Sequence, residues 1–240
     1  MMQNWAWIRR YIRESSLEYV NWLMDDDVFH PEKIAKMIDY YLQDDGITLV
    51  TSYRQLMDKD GRILAEDMAA TKKICATTSR FRGKDMGKKL LLEMLNFVGE
   101  PTTVLIKKEY MRNGGFDWSE QEEKYNIFDF PTWLELLSQG DMIYIVEPLS
   151  YFRIHDGQTQ YTSSAAIVSF ICWAKEIQYA YKQKIFIENR EEYGQALYIL
   201  MEYVLRILMH NKYTDSESEN REYLWKLLQE MLSVLILPTK

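Results

Sequence analysis

Residues 18–42 read EYVNWLMDDDVFHPEKIAKMIDYYL. The first seven, EYVNWLM, are aromatic and aliphatic with no breaker, which predicts a buried strand over 18–24. That run stops at Asp25, Asp26 and Asp27. Pro31 then suits a first helical position, and Ile34, Met37, Ile38, Tyr41 and Leu42 form one apolar stripe that ends before Gly46. Strand, acidic turn and helix in immediate succession predict an α/β body.

The same alternation continues outward. ITLVTSY at 47–53 predicts a second strand, and Asp60-Gly61 a turn into a short extended piece around Arg62–Leu64. FRGKDMGKK at 81–89 is basic and interrupted by glycine, so it reads as a mobile loop ahead of a helix marked by Leu90, Leu91, Met94 and Leu95. TTVLIK at 102–107 predicts a strand, Asn113-Gly114-Gly115 a turn, and the region from Pro131 a helix carrying Trp133, Leu134, Leu136 and Leu137. DMIYIVEPLSYFRIH at 141–155 reads as a strand, a proline break and a second extended piece.

Beyond residue 162 the pattern becomes helical throughout. Three stripes at helical spacing follow, centred on Ile171–Ile177, Leu197–Val204 and Leu224–Met231. The expected organisation is an α/β domain over 1–160 with a mixed sheet flanked by helices, and an all-helical subdomain over 161–240.

Composition removes several function classes. A net charge of −7 argues against nucleic acid as a partner, because phosphate backbones are held by clustered Lys and Arg. The two cysteines, Cys75 and Cys172, lack the spacing of a zinc site or a disulfide framework. No apolar run reaches the roughly 20 residues of a membrane span. The expectation is a cytoplasmic protein, peripheral to the inner face of a membrane if it meets one.

Three adjacent aspartates repel one another and exceed what a turn or helix cap requires. Ligands of open α/β sheets gather outside the carboxyl ends of strands, and carboxylates placed there hold hard cations such as Mg²⁺ or Mn²⁺. A cation gives an acidic protein a way to bind phosphate.

These segments in order, YVNWLMDDDVFHPEKIAKMI, GITLVTSYRQLMDKDGRIL, GEPTTVLIKKEYMRNGGFDW and DFPTWLELLSQGDMIYIVEPLSYFRIHDGQ, resemble the middle and end of a family-2-type glycosyltransferase of the GT-A fold. The likeness spans roughly residues 15–160. It implies a Rossmann-like GT-A sheet and metal-dependent, inverting transfer of a sugar from a nucleotide-diphosphate donor to a hydroxyl of a glycan, lipid-linked or protein acceptor.

On that resemblance, Asp25 and Asp27 are the metal ligands of a DxD motif, Asp26 contacts the donor, and His155 completes the metal or touches the diphosphate. Asp129 matches the catalytic base, although Phe128 replaces the acidic residue usual before it. Arg153 is placed to meet donor phosphate, and Asp117 and Trp118 to line the acceptor side. Residue-level alternatives stay open: Asp129 also suits a helix cap, Arg153 a surface ion pair and Trp118 the core. An acid-anhydride phosphatase pattern fails at Phe29, where Thr or Val is expected.

Family members carry roughly 80 to 100 residues of βαβ structure before the acidic motif. Here 24 residues precede Asp25. The expectation is a piece of a longer protein, a shortened product or a chain completed by another, with self-association to cover apolar surface left by the missing strands. Trp5, Trp7 and Ile8 are the residues expected to cover part of it. The competing reading is a catalytically silent remnant acting as a binding or assembly module.

Overall fold

The computed structural model describes residues 2–65, 72–111, 129–155, 163–209 and 218–236. Among these residues it shows an α/β arrangement with a mixed six-stranded sheet and seven α-helices. No helix among the described residues is long and apolar enough to cross a membrane. The chain divides into two compact units, one comprising 1–87, 96–120 and 128–156, the other 88–95, 121–127 and 157–240.

In the first unit, helix α1 (Met2–Glu14) precedes strands β1 (Tyr19–Val20) and β2 (Val28–Phe29), helix α2 (Lys33–Gln43) and strand β3 (Ile47–Met57). Strands β4 (Ser79–Phe81), β5 (Val104–Lys107) and β6 (Asp141–Arg153) and helix α4 (Asp129–Gln139) complete it, together with the first turn of α3 (Gly83–Glu93). The path is β1-β5-β3-β6-β2, with β4 also on β6. Among the described strands β3 and β6 run parallel, from Ile47 opposite Asp141 to Met57 opposite Arg153, and the other pairings are antiparallel. Ten of the eleven β3 residues are buried, including the polar Thr48, Thr51, Ser52 and Gln55, because the strand has neighbours on both sides.

The long β6 strand explains what Pro148 does. Register shifts between Ser52 and Arg54 on the partner strand, from Ile145 to Ser150 on β6, so the proline sits in an irregularity rather than ending the strand. On its other edge, β6 pairs with β4 before the irregularity and with β2 after it: Tyr144 lies opposite Ser79, and Tyr151 opposite Val28.

Several expectations need correction. The strand predicted over 18–24 is two residues long, because only Tyr19 and Val20 find a partner, in β5. The buried row of α2 is Lys33, Met37 and Tyr41, while Leu42 is 73% exposed. Residues 102–107 are not all strand: Pro101–Thr103 form a 3₁₀ turn, and β5 starts at Val104. The basic stretch 81–89 is not a mobile loop: Phe81 ends β4 and α3 begins at Gly83, with Arg80 paired to Asp44 and Asp141. Trp7 is 64% exposed and stacks on Tyr11, so it covers no sheet.

The second unit holds the remainder of α3 and helices α5 (Ser163–Gln183), α6 (Arg190–Met209) and α7 (Ser218–Ile236). The three long helices pack pairwise. Their buried residues include Ile171, Ala174 and Ile177, then Leu197, Leu200 and Val204, then Leu224, Leu227, Leu228 and Met231, which form most of the stripes the periodicity marks; Leu205 and Leu232, also expected on those faces, are exposed. Tyr181 stacks on Tyr193 at 4.2 Å between ring centroids, and Lys88 Nζ lies 2.7 Å from Glu192 Oε1.

Candidate functional site

The aspartate turn does not finish a strand of its own. It is carried to the sheet by β2, whose antiparallel pairing sets Val28 opposite Tyr151 and so brings Asp27 to the end of β6. Arg153 N–H donates to Asp27 Oδ1 at 3.2 Å, and Ile154 N–H donates to Met57 O at 2.9 Å. The turn therefore lies at the carboxyl ends of the parallel pair β3 and β6, where ligands of such sheets bind.

The three carboxylates have different surroundings. Asp25 is exposed. Asp26 is partly buried, and its Oδ2 lies 3.2 Å from His155 Nε2. Asp27 is 7% exposed and points inward, where Thr102 Oγ1 donates to its Oδ2 at 2.6 Å. Burial pushes the Asp27 carboxyl up to about 6, against the hydrogen bonds from Thr102 and Arg153 that hold it lower.

That placement makes a prediction. Between about pH 4 and pH 6 the folded chain holds a proton on Asp27 that the unfolded chain has lost. Its contribution to stability is complete below pH 4 and gone above pH 6, a change of at most about 3 kcal/mol. Asp27→Asn keeps an acceptor for Thr102 but removes the titration. Urea denaturation in EDTA from pH 4 to 7 is expected to show a downward slope in the parent that the variant lacks; equal slopes would count against this assignment.

Arg153 fixes the turn. Its Nε donates to Asp26 O at 2.9 Å, and its Nη1 to Asp58 O at 3.2 Å and Lys59 O at 3.1 Å. Residues 58–62 form their own turn, in which Asp58 Oδ1 accepts from the N–H groups of Asp60 and Arg62 and Gly61 takes φ +84°. The arginine expected to meet phosphate thus staples two turns together.

Asp129 is the first residue of α4. An acidic side chain there is favoured by the helix dipole. Asn96 Nδ2 donates to its Oδ2 at 3.1 Å, and burial raises the carboxyl above its ordinary value although the Phe130 N–H pulls it down. Asp117 and Trp118 lie outside the described residues.

The segment NFVGEPTT at 96–103 links the two acidic centres, a role that the sequence did not mark. Besides binding Asp129, Asn96 Nδ2 donates to Gly99 O at 3.2 Å, and Trp133 Nε1 donates to the same carbonyl at 3.0 Å. Glu100 forms an ion pair with Arg54 of β3. Thr102 Oγ1 donates to Asp27 and accepts from Met24 N–H at 3.3 Å. Thr103 Oγ1 donates to Val98 O or Glu100 O, at 2.9 and 2.7 Å. Pro101 at the start of the 3₁₀ turn offers the one local hint, since it favours an entry into helical geometry over a strand.

Arg54 stands within electrostatic reach of Glu100, Asp129 and Asp27, and these charges hold it firmly protonated against burial. The constellation is one guanidinium among three carboxylates.

Asp25, Asp27 and His155 do not gather as a ligand trio. Among the described residues, the group whose ligand atoms lie within 4.8 Å of one another is His30, Glu32 and Glu147. There Lys36 Nζ is already 3.0 Å from Glu32 and 2.6 Å from Glu147, so an ammonium supplies the positive charge. No family model matches the chain, and no curated protein matches it.

Proposed function

We propose that this chain is a GT-A-like glycosyltransferase module, metal-dependent and inverting, acting on a nucleotide-diphosphate sugar and a hydroxyl acceptor. The observation that carries the reading is the Asp26–His155 pair at the carboxyl ends of β3 and β6, with Asp129 linked to the same turn through residues 96–103.

The donor set fits a divalent cation. Asp26 Oδ2 and His155 Nε2 lie 3.2 Å apart, close enough for both to reach one cation. A carboxylate with an imidazole suits Mn²⁺ better than Mg²⁺, which prefers an all-oxygen shell. With Asp27 turned inward, Asp26 and His155 would be the residues to hold it, with Asp25 as the exposed neighbour. When bound, the cation supplies positive charge for the diphosphate leaving group. Asp27, Thr102 and Arg153 keep the turn in place. Asp129, raised by burial, takes the proton of the attacking hydroxyl.

Calorimetric titration of the full chain with a panel of nucleoside diphosphates, with and without Mn²⁺, tests this. At least one is expected to bind only with Mn²⁺, and His155→Ala or Asp26→Ala is expected to weaken it by about 10- to 100-fold, on the scale of disrupted metal sites. If none binds with Mn²⁺, the reading is overturned. A binding or assembly module is then the better account. That second reading is favoured by Arg153 and Asp27, both engaged in holding the backbone and side chains of the turn.

A further inference from the structure

Glu100 has no part in the chemistry assigned so far, yet it stands at the centre of the charge constellation. Its side chain and that of Arg54 are each 18% exposed and form an ion pair. Its second oxygen, Oε2, is buried with no hydrogen-bond partner among the described residues. Burial and the like charge of Glu100 raise the Asp129 carboxyl, while the N–H groups of Phe130 and Asp129 at the start of α4 and the charge of Arg54 lower it.

The backbone around Glu100 is held from several directions. Gly99 takes φ +101°, and a Cβ there would fall 2.7 Å from Thr103 Cγ2, so the approach of residues 99 and 103 requires glycine. Gly99 O accepts from Trp133 and Asn96, and the next turn is closed by Thr103 N–H donating to Glu100 O at 2.9 Å. The carboxylate is thereby fixed in relation to α4, which begins at Asp129 and carries Trp133 one turn later.

We propose that Glu100 is a positioning residue for Asp129: paired with Arg54, it keeps the guanidinium from becoming the direct counter-ion of Asp129 and leaves that carboxylate able to accept a proton. This rests on the reading of Asp129 as the base. A base held tightly by a buried guanidinium is a weak one, because an opposite charge within about 4–6 Å lowers a carboxyl by one to three pH units. Glu100 occupies that guanidinium and adds a like charge beside Asp129. Its position costs stability, since a buried oxygen is left without a partner, and such costs concentrate where a site requires them.

The test is the titration of Asp129 followed by carboxyl ¹³C NMR in the full chain without metal. Glu100→Gln keeps the shape and removes the charge, and the Asp129 midpoint is expected to fall by about one pH unit. Glu100→Asp is expected to keep it near the parent value. Arg54→Gln is expected to move it upward, so either charge-removing variant carries the test if the other fails to fold. A midpoint that stays put in Glu100→Gln, or falls in Arg54→Gln, overturns the proposal.

The outcome is separable from that of the transferase reading. Unmoved titration with Mn²⁺-dependent nucleotide binding intact defeats the positioning role alone. Shifted titration with no nucleotide binding defeats the transferase reading alone. Where transfer is measured, the acid limb of its pH profile is expected to follow the Asp129 midpoint in Glu100→Gln.

Discussion

Replacing Lys33 by methionine is expected to stabilise the protein near neutral pH and to flatten its stability between pH 7 and 10. Lys33 is fully buried on α2. Its Nζ donates to Thr103 O at 2.8 Å, lies 3.3 Å from Met37 Sδ and sits 5.3 Å from the Phe29 ring centroid. A carbonyl, a thioether and a ring do not replace the hydration of an ammonium, and burial lowers the group to about 7.

Because the folded value lies below the unfolded 10.5, the unfolded chain holds a proton between pH 7 and 10.5 that the folded chain lacks. The contribution is complete above 10.5 and is lost as pH falls to 7, by at most about 5 kcal/mol. Lys33→Met escapes that cost but leaves Thr103 O without its donor, worth about 1–3 kcal/mol. A net gain of about 2 kcal/mol is expected at pH 7, shrinking as pH rises. Chemical denaturation at pH 7, 8.5 and 10 measures it; parallel curves for parent and variant would rule it out.

Gly83→Ala is expected to be among the most damaging single substitutions in the first unit. A Cβ at Gly83 would fall 1.8 Å from Gly140 O and 2.4 Å from Leu137 O. Both are backbone atoms at the end of α4, and Gly140 is itself pressed against Gly46 O, 2.5 Å from where its own Cβ would lie. Nothing flexible can give way. A loss above about 4 kcal/mol, the exceptional end of point-mutant effects, is expected in urea denaturation. Gly46→Ala is the contrasting case: its nearest atoms are side-chain atoms of Asp44 and Arg80 at 3.0 and 3.2 Å, which can shift, and the loss is expected to stay below about 1 kcal/mol. Comparable losses in the two variants would show that the contact at Gly83 is not the cause.

The same glycine shows how a sequence signal is misread. Glycine beside lysines at 81–89 suggests mobility, but Gly83 opens α3 because backbone from another element approaches it. Lys33 is a second case. Helical periodicity puts Ile34 on the inner face of α2, yet Ile34 is 37% exposed and Lys33 is buried. One residue of rotation was enough to reverse the assignment, and the partner that sets it, Thr103 O, is 70 residues away.

The candidate site divides in the same way. That acidic residues gather near 25–27, and that Asp129 opens a helix, could be read directly, because charge clustering and helix starts are local properties. Which aspartate faces inward could not, because three identical neighbours have no local feature to separate them. The pairing of β2 with β6 and the hydroxyl of Thr102 decide it, turning Asp27 into the protein and Asp26 toward His155.

By itself the sequence determined the elements whose signal is a repeated side-chain pattern: the apolar strands β3 and β6, the helix α4, and the three long helices with their buried stripes. These depend on period and hydrophobicity within ten to twenty residues. Only the tertiary structure decided the function of residues 96–103, the burial of Lys33, the stapling role of Arg153 and the pairing of Arg54 with Glu100. Each of those depends on a hydrogen bond or charge pair between residues far apart in the chain, and such partners are set by strand order and register, which no local pattern contains.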